Sequence, residues 1–178
     1  MTQSQIEYLK SSITNVPDYP KPGIMFKDIT GLLKNHEAFS LCIKLLAEHY
    51  QKANLTKIVA IEARGFFFGS ALAYELGIGM VPVRKPNKLP LATYSQTYQL
   101  EYGTDTLEIH QDALTNKDRV LIIDDLIATG GSISATIELV KQTQAKIIGT
   151  AFIIDLPELG GSEKIKSMNI PVFSLIQY

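Results

Sequence analysis

The stretch 120–132, VLIIDDLIATGGS, holds the residues whose types and spacing most clearly imply chemistry. Four apolar residues read as a buried strand, followed by the adjacent acids Asp124 and Asp125. A turn of small residues comes next (Ala128, Thr129, Gly130, Gly131, Ser132), and then a helical run over 133–142. A glycine turn opening a helix presents free N–H groups and the positive end of the helix dipole to an anion. Two carboxylates facing the same spot would repel a phosphate. The pattern therefore predicts a ligand in two parts, a phosphate for the turn and hydroxyls or a metal ion for the acids. A phosphorylated ribose satisfies both.

Two other strand ends carry polar chemistry. The run 57–61 (KIVAI) leads into Glu62, Ala63, Arg64 and Gly65, and 79–83 (GMVPV) leads into Arg84 and Lys85. Ligands of open α/β sheets collect at the carboxyl ends of the strands, so these ends are expected to converge on one cleft. Other chemistries find less support. No G-x-G-x-x-G follows a strand, and no G-x-x-x-x-G-K-[ST] is present. His36, His49 and His110 are scattered without metal-site spacing, and Cys42 falls in an apolar helical stripe, where an inert thiol is expected.

Positioning these groups requires a regular frame. Residues 4–14 read as a helix, with capping-box spacing from Ser4 to Glu7 and Ile6, Leu9 and Ile13 at helical intervals. The proline-rich 15–23 reads as irregular. Asn35 is placed to cap a helix reaching about residue 52, with Phe39, Cys42, Ile43, Leu46 and Tyr50 on one face. Further helices are expected over 66–76 and 157–168, strands over 146–154 and 172–176, a long loop over 84–98 and a hairpin over 99–110. Strands alternating with helices imply an α/β, doubly wound, mostly parallel central sheet flanked by helices. At 178 residues, without a repeat or linker, the chain reads as a single domain, 1–178.

Composition narrows the setting. Hydrophobic content of 46% and charged content of 20% are ordinary for a globular protein. A net charge of −1 argues against general nucleic-acid binding. One cysteine excludes an internal disulfide and favours a reducing compartment. The polar start and the lack of a long apolar run predict a cytoplasmic protein that does not engage membranes.

The stretch 120–132 resembles the phosphoribosyl pyrophosphate signature of the type I phosphoribosyltransferases: four apolar residues, two acids, two apolar residues, then A-T-G-G-[ST]. Four more blocks are similar, in order and spacing, to the branch of that family that uses adenine. They are PDYPKPGIMFKDIT (17–30), IEARGFFFG (61–69), VRKPNKLP (83–90) and YQLEYGTDTLEIH (98–110). The resemblance implies the type I fold, with a small hood at about 1–34 and a flexible lid at about 84–107.

It also implies roles. Ala128, Thr129, Gly130, Gly131 and Ser132 would hold the ribose 5-phosphate. Asp124 and Asp125 would accept from ribose hydroxyls and help organise Mg2+, held mainly by oxygens of the phosphoribosyl donor, with the two acids acting through water. Arg64, Arg84 and Lys88 would stabilise the leaving pyrophosphate, next to a 62–64 turn that in this family often contains a non-proline cis peptide. Phe26 would stack on the base while the Met25 and Lys27 backbone reads its edge. Lys27 stands where arginine is common, a change that spares a backbone contact but not a bidentate one. Glu101 would manage the proton of the base and Tyr102 would cover the site, so Glu101, Arg64 and Lys88 are the catalytic set.

The implied enzyme is a glycosyltransferase (pentosyltransferase) of purine salvage, acting as a homodimer. It would convert adenine and phosphoribosyl pyrophosphate to AMP and pyrophosphate. The alternatives are a relative using xanthine or guanine, or a non-catalytic regulator that senses phosphoribosyl pyrophosphate. Such regulators usually carry an added DNA-binding domain, for which this chain has neither spare length nor a basic recognition helix.

Overall fold

The computed structural model describes residues 1–99 and 103–178. In chain order the elements are α1 (Gln3–Ser11), β1 (Thr14–Val16), β2 (Phe26–Asp28), α2 (Thr30–Lys34), α3 (His36–Tyr50), β3 (Lys57–Ile61), α4 (Gly65–Leu76), β4 (Gly79–Val83), β5 (Thr93–Gln99), β6 (Thr104–His110), β7 (Arg119–Ile127), α5 (Gly131–Gln142), β8 (Lys146–Asp155), α6 (Gly161–Lys166) and β9 (Val172–Gln177), with a 3-10 turn, Pro157–Leu159, before α6.

The apolar runs form one parallel sheet in the order β4-β3-β7-β8-β9. Both faces are covered, which is why these strands are apolar at successive positions instead of alternating with polar ones. Ile58, Ala60, Leu121 and Ile123 turn to one face and pack with Leu9, Leu46, Phe68 and Leu72 of the helices there. Val59, Ile61, Val120 and Ile122 turn to the other and meet Ile133, Ile137 and Val140 of α5. The core therefore lies on both sides of the sheet, and the carboxyl ends of β3, β4 and β7 are left together at one rim.

Two antiparallel ribbons stand off this frame. β1 and β2 pair from Thr14↔Asp28 to Val16↔Phe26. β5 and β6 pair from Thr93↔His110 to Gln99↔Thr104, and an Arg84↔Glu108 bridge ties that ribbon to the strand end after β4.

Several local expectations need correction. The capping box of α1 belongs to Thr2 and Gln5, two residues before the expected Ser4 and Glu7, because Thr2 has the extended backbone of a cap, and the helix ends at Ser11 instead of reaching 14. Residues 14–16 are a strand, where 14 was expected to end the helix and 15–16 to be irregular, since β2 supplies a partner across the proline-rich turn. The loop expected over 84–98 becomes strand from Thr93. Its polar alternation hides Tyr94 and Tyr98, which pack on the core. Both acids lie inside β7, not beyond it, because β8 continues alongside as far as Ile127↔Asp155. The helix expected over 157–168 is divided at Gly160, whose φ of 75° ends the 3-10 turn.

Candidate active site

The turn 128–132 closes the end of β7 and opens α5. Gly130 stands at the N-cap position with φ 77°, and no side chain caps the helix. A helix that begins this way keeps its first N–H groups for an external acceptor. The turn is braced from behind: the Gly161 N–H donates to the Ala128 carbonyl oxygen at 3.0 Å. All five turn residues line a cleft of about 280 Å³, together with Asp124, Asp125, Arg64, Glu62, Lys85 and Tyr98.

Asp124 and Asp125 sit side by side, and Asp124 Oδ1 accepts from the Asp125 N–H at 2.9 Å. Burial, and then the neighbouring Asp125 charge, raise the pKa of Asp124 well above the ordinary carboxylate range. Burial also raises that of Asp125, against the pull of Arg64. Arg64 Nε lies 3.1 Å from Asp125 Oδ2, a charge contact; that buried oxygen has no hydrogen-bond partner. Among the described residues, no group of three or more acidic, histidine or cysteine side chains forms a metal cage. A pair of carboxylates with an unsatisfied oxygen suits Mg2+, which keeps several waters and takes its other oxygens from substrate phosphates. The chain itself supplies the close approach: a Cβ on Gly65 would lie 2.9 Å from Asp124 Oδ1 and 3.0 Å from the Ile123 carbonyl oxygen.

Arg64 joins this cleft to the hood. Its guanidinium carbon is 5.1 Å from the centroid of the Phe26 ring, which meets Tyr19 edge-on at the same separation. The Glu62–Ala63 peptide just before it is cis and not followed by proline. Met25 is half exposed beside Phe26, whereas the Lys27 side chain is buried on the far side of β2.

The expected cations separate in space. Arg84 Nε and Nη2 reach the two Glu62 carboxylate oxygens at 3.1 and 3.4 Å, and the Lys85 N–H donates to Glu62 Oε2 at 2.8 Å. Arg84 is thus paired beside the cleft, and Lys88 is exposed outside it. Lys85, expected near the cleft from its strand end but given no role, does line it, and its Nζ lies 3.2 Å from Asp105 Oδ2. Its position directly after a strand end was the available signal. Tyr98 was missed. Its hydroxyl reaches Asp105 at 3.4 Å, and burial, with Asp105 and Asp124 nearby, pushes its pKa up to about 12. Its ring lies over the phosphate turn: a Cβ on Gly131 would be 3.0 Å from Tyr98 Cδ2. The expected roles of Glu101 and Tyr102 fall outside the described residues.

A parallel sheet whose rim joins a phosphate turn, a carboxylate pair and an arginine defines an α/β protein built for a sugar phosphate. The Phosphoribosyl transferase domain model matches residues 28–173. Adenine phosphoribosyltransferase of Edwardsiella ictaluri is 55% identical over 177 residues, covering 99% of this chain and 97% of that one. The crystal structure of adenine phosphoribosyltransferase from Rhodothermus marinus superposes with a TM-score of 0.93 at 48% identity, covering 99% of this chain and all of the other. The Saccharomyces cerevisiae enzyme, solved with an imino-altritol bisphosphate and adenine, gives 0.90 at 39% identity, covering 98% and 99%. The chain belongs to the phosphoribosyltransferase family and has its type I fold.

Proposed function

We propose that this protein transfers the 5-phosphoribosyl group of phosphoribosyl pyrophosphate to adenine, giving AMP and pyrophosphate in purine salvage. One observation carries the reading: Arg64 touches both halves of the site, with Asp125 on one side at 3.1 Å and Phe26 on the other at 5.1 Å. The phosphoribosyl half and the base half are therefore adjacent across a single side chain, as a transfer between them requires. The relatives named for adenine supply the identity of the base.

In this reading the N–H groups of 128–132 and the Thr129 and Ser132 hydroxyls hold the 5-phosphate, and Asp124 and Asp125 accept from the ribose hydroxyls. Asp124 and Asp125 would help hold Mg2+ through water, with most of its oxygens coming from the donor, and the ion would offset the charge of the pyrophosphate. Arg64 and Lys85 face the pyrophosphate from the cleft, with Arg84, paired to Glu62, and Lys88 adding positive charge from outside its lining. Charge placed where the leaving group develops it lowers the barrier to bond breaking at ribose C1, which passes through an oxocarbenium-like state. Phe26 stacks on adenine, and the Met25 and Lys27 backbone reads its edge. A backbone carbonyl accepts from the adenine amine but opposes the oxo group of hypoxanthine, a mismatch that can cost ~10⁴-fold. Glu101 takes the proton of the base as the ring nitrogen attacks, worth typically ~10²–10⁴-fold. The lid, 84–107, excludes water.

The reading includes one domain over 1–178, with the hood at 1–34, and a cytoplasmic setting. Cys42 is consistent with that setting, a buried free thiol whose pKa burial pushes up to about 12. Among the described residues, no helix is long and apolar enough to cross a membrane. It also includes a homodimer formed through the groove between α3 and α4, where Phe67 is 50% and Tyr74 88% exposed. Exposed rings clustered along a groove mark an association surface, and α4 begins directly after Arg64. The test is turnover with Mg2+, phosphoribosyl pyrophosphate and each purine in turn. AMP and pyrophosphate should form with adenine alone and stop when the metal is chelated. Turnover of guanine, xanthine or hypoxanthine without adenine would overturn the reading.

A further inference from the structure

Lys27 is 9% exposed, yet among the described residues no carboxylate pairs with it. Lysine is almost never so buried without a counter-charge. Its Nζ instead donates to Asn15 Oδ1 at 2.8 Å, across the ribbon on β1, and lies 3.7 Å from the centroid of the Tyr178 ring. Lys10 Nζ approaches the same ring, 4.9 Å from its centroid. Burial and the Lys10 charge both lower the pKa of Lys27, two effects that oppose its ammonium form. The π-face of an aromatic ring is the electron-rich surface that can offset them. The ring is itself fixed to the main sheet: the Tyr178 N–H donates to the Asp155 carbonyl oxygen at 3.2 Å, and its hydroxyl reaches the Lys10 carbonyl oxygen at 3.5 Å.

Side chains alternate along a strand. On β2, Phe26 meets Arg64 on the cleft side, while Lys27 meets Tyr178 on the other. We propose that Tyr178 is a positioning residue for the acceptor base: its ring, held by Lys27 and Lys10, fixes the back of β2 and so sets the Phe26 ring against which the base stacks. Tyr178 touches no substrate. It anchors the hood ribbon to the sheet rim without passing through the phosphate turn, so its influence falls on the acceptor and not on the phosphoribosyl donor. This rests on the reading of Phe26 given above.

The test is steady-state kinetics of the full chain with Tyr178→Ala, Tyr178→Leu and Tyr178→Phe, alongside thermal melting. Cation–π contacts of this kind correspond to ~3–30-fold. The KM for adenine should rise by about that factor in Tyr178→Ala and Tyr178→Leu, with the KM for phosphoribosyl pyrophosphate within about twofold of wild type. Tyr178→Phe, which keeps the π-face, should restore the wild-type KM for adenine. If Tyr178→Ala does not fold, Tyr178→Leu decides, because it keeps apolar volume without a π-face. A wild-type KM for adenine in Tyr178→Leu, or parallel rises in both KM values, would overturn the proposal. A wild-type protein that does not use adenine would instead remove the reading beneath it, and the proposal with that reading.

Discussion

Gly161 lies outside the cleft lining, yet its replacement by alanine should disable the phosphate turn from behind. A Cβ at this position would overlap the Ala128 carbonyl oxygen and stand 2.8 Å from the Gly130 nitrogen and 2.9 Å from Ile127 Cγ1. Two of these atoms are backbone of the turn, so no side-chain rotation relieves the overlap. Ordinary contact requires the Gly130 nitrogen to retreat by about 0.6 Å. Overpacking of this kind costs ~1–3 kcal/mol, or ~2–12 °C in Tm for a chain of this size. A displacement approaching 1 Å in a positioning group costs up to ~10²-fold in rate. Gly161→Ala is therefore expected to lower kcat/KM for phosphoribosyl pyrophosphate by ~10- to 100-fold, measured as pyrophosphate release at subsaturating donor. Gly160→Ala is the internal comparison. A Cβ there meets nothing within 4 Å, although φ is 75°. It should cost ~1 kcal/mol of stability through backbone strain and leave turnover near wild type. Equal activity in the two variants would refute this reasoning, because it would mean that close approach at Gly161 does not set the turn.

Two more outcomes follow from groups beside the cleft. Burial opposes ionisation of Glu62, but the Arg84 hydrogen bond, the Lys85 N–H and the charges of Arg84 and Lys88 together outweigh it and hold its pKa below the usual 4.5. A depressed native pKa means that this stabilisation is present above the unfolded value and is lost as pH falls through the native one. Glu62→Gln should thus lower unfolding stability by ~1–2 kcal/mol at pH 7, allowing for the partial exposure of Arg84, and by much less near pH 3 in denaturant titrations; a pH-independent difference would contradict the assignment. Tyr74→Asp, at an 88% exposed ring, should turn a dimer into a monomer by light scattering at micromolar concentration, and an unchanged mass would exclude that face.

Much of the frame could be read from residue types because the central strands are buried on both faces. Runs such as KIVAI and VLII carry their own signal, and the Asn35 cap is local, accepting from the Glu37 and Ala38 N–H groups. The short ribbons are different. Thr14–Val16 has no apolar pattern and becomes a strand only because Phe26–Asp28 returns beside it. The break at Gly160 and Gly161 depends on how closely Ala128 approaches, a contact far away in sequence. The site divides in the same way. The acids and the phosphate turn are contiguous and were visible as a motif. The strand end at Lys85 was legible as well, but the pairing of Arg84 with Glu62 and the presence of Tyr98 in the cleft depend on how three strand ends and a ribbon meet, which no local spacing encodes.

The uncapped start of α5 has a consequence for engineering the protein. Serine, aspartate or asparagine at a helix N-cap commonly adds ~1 kcal/mol of stability, which would make position 130 an obvious target. Here a side-chain oxygen would take up the same N–H groups that a phosphate needs, and the left-handed backbone at Gly130 resists a side chain as well. Helix stability and ligand affinity draw on one small set of amides. A variant optimised for heat resistance at this point would in effect carry its own inhibitor.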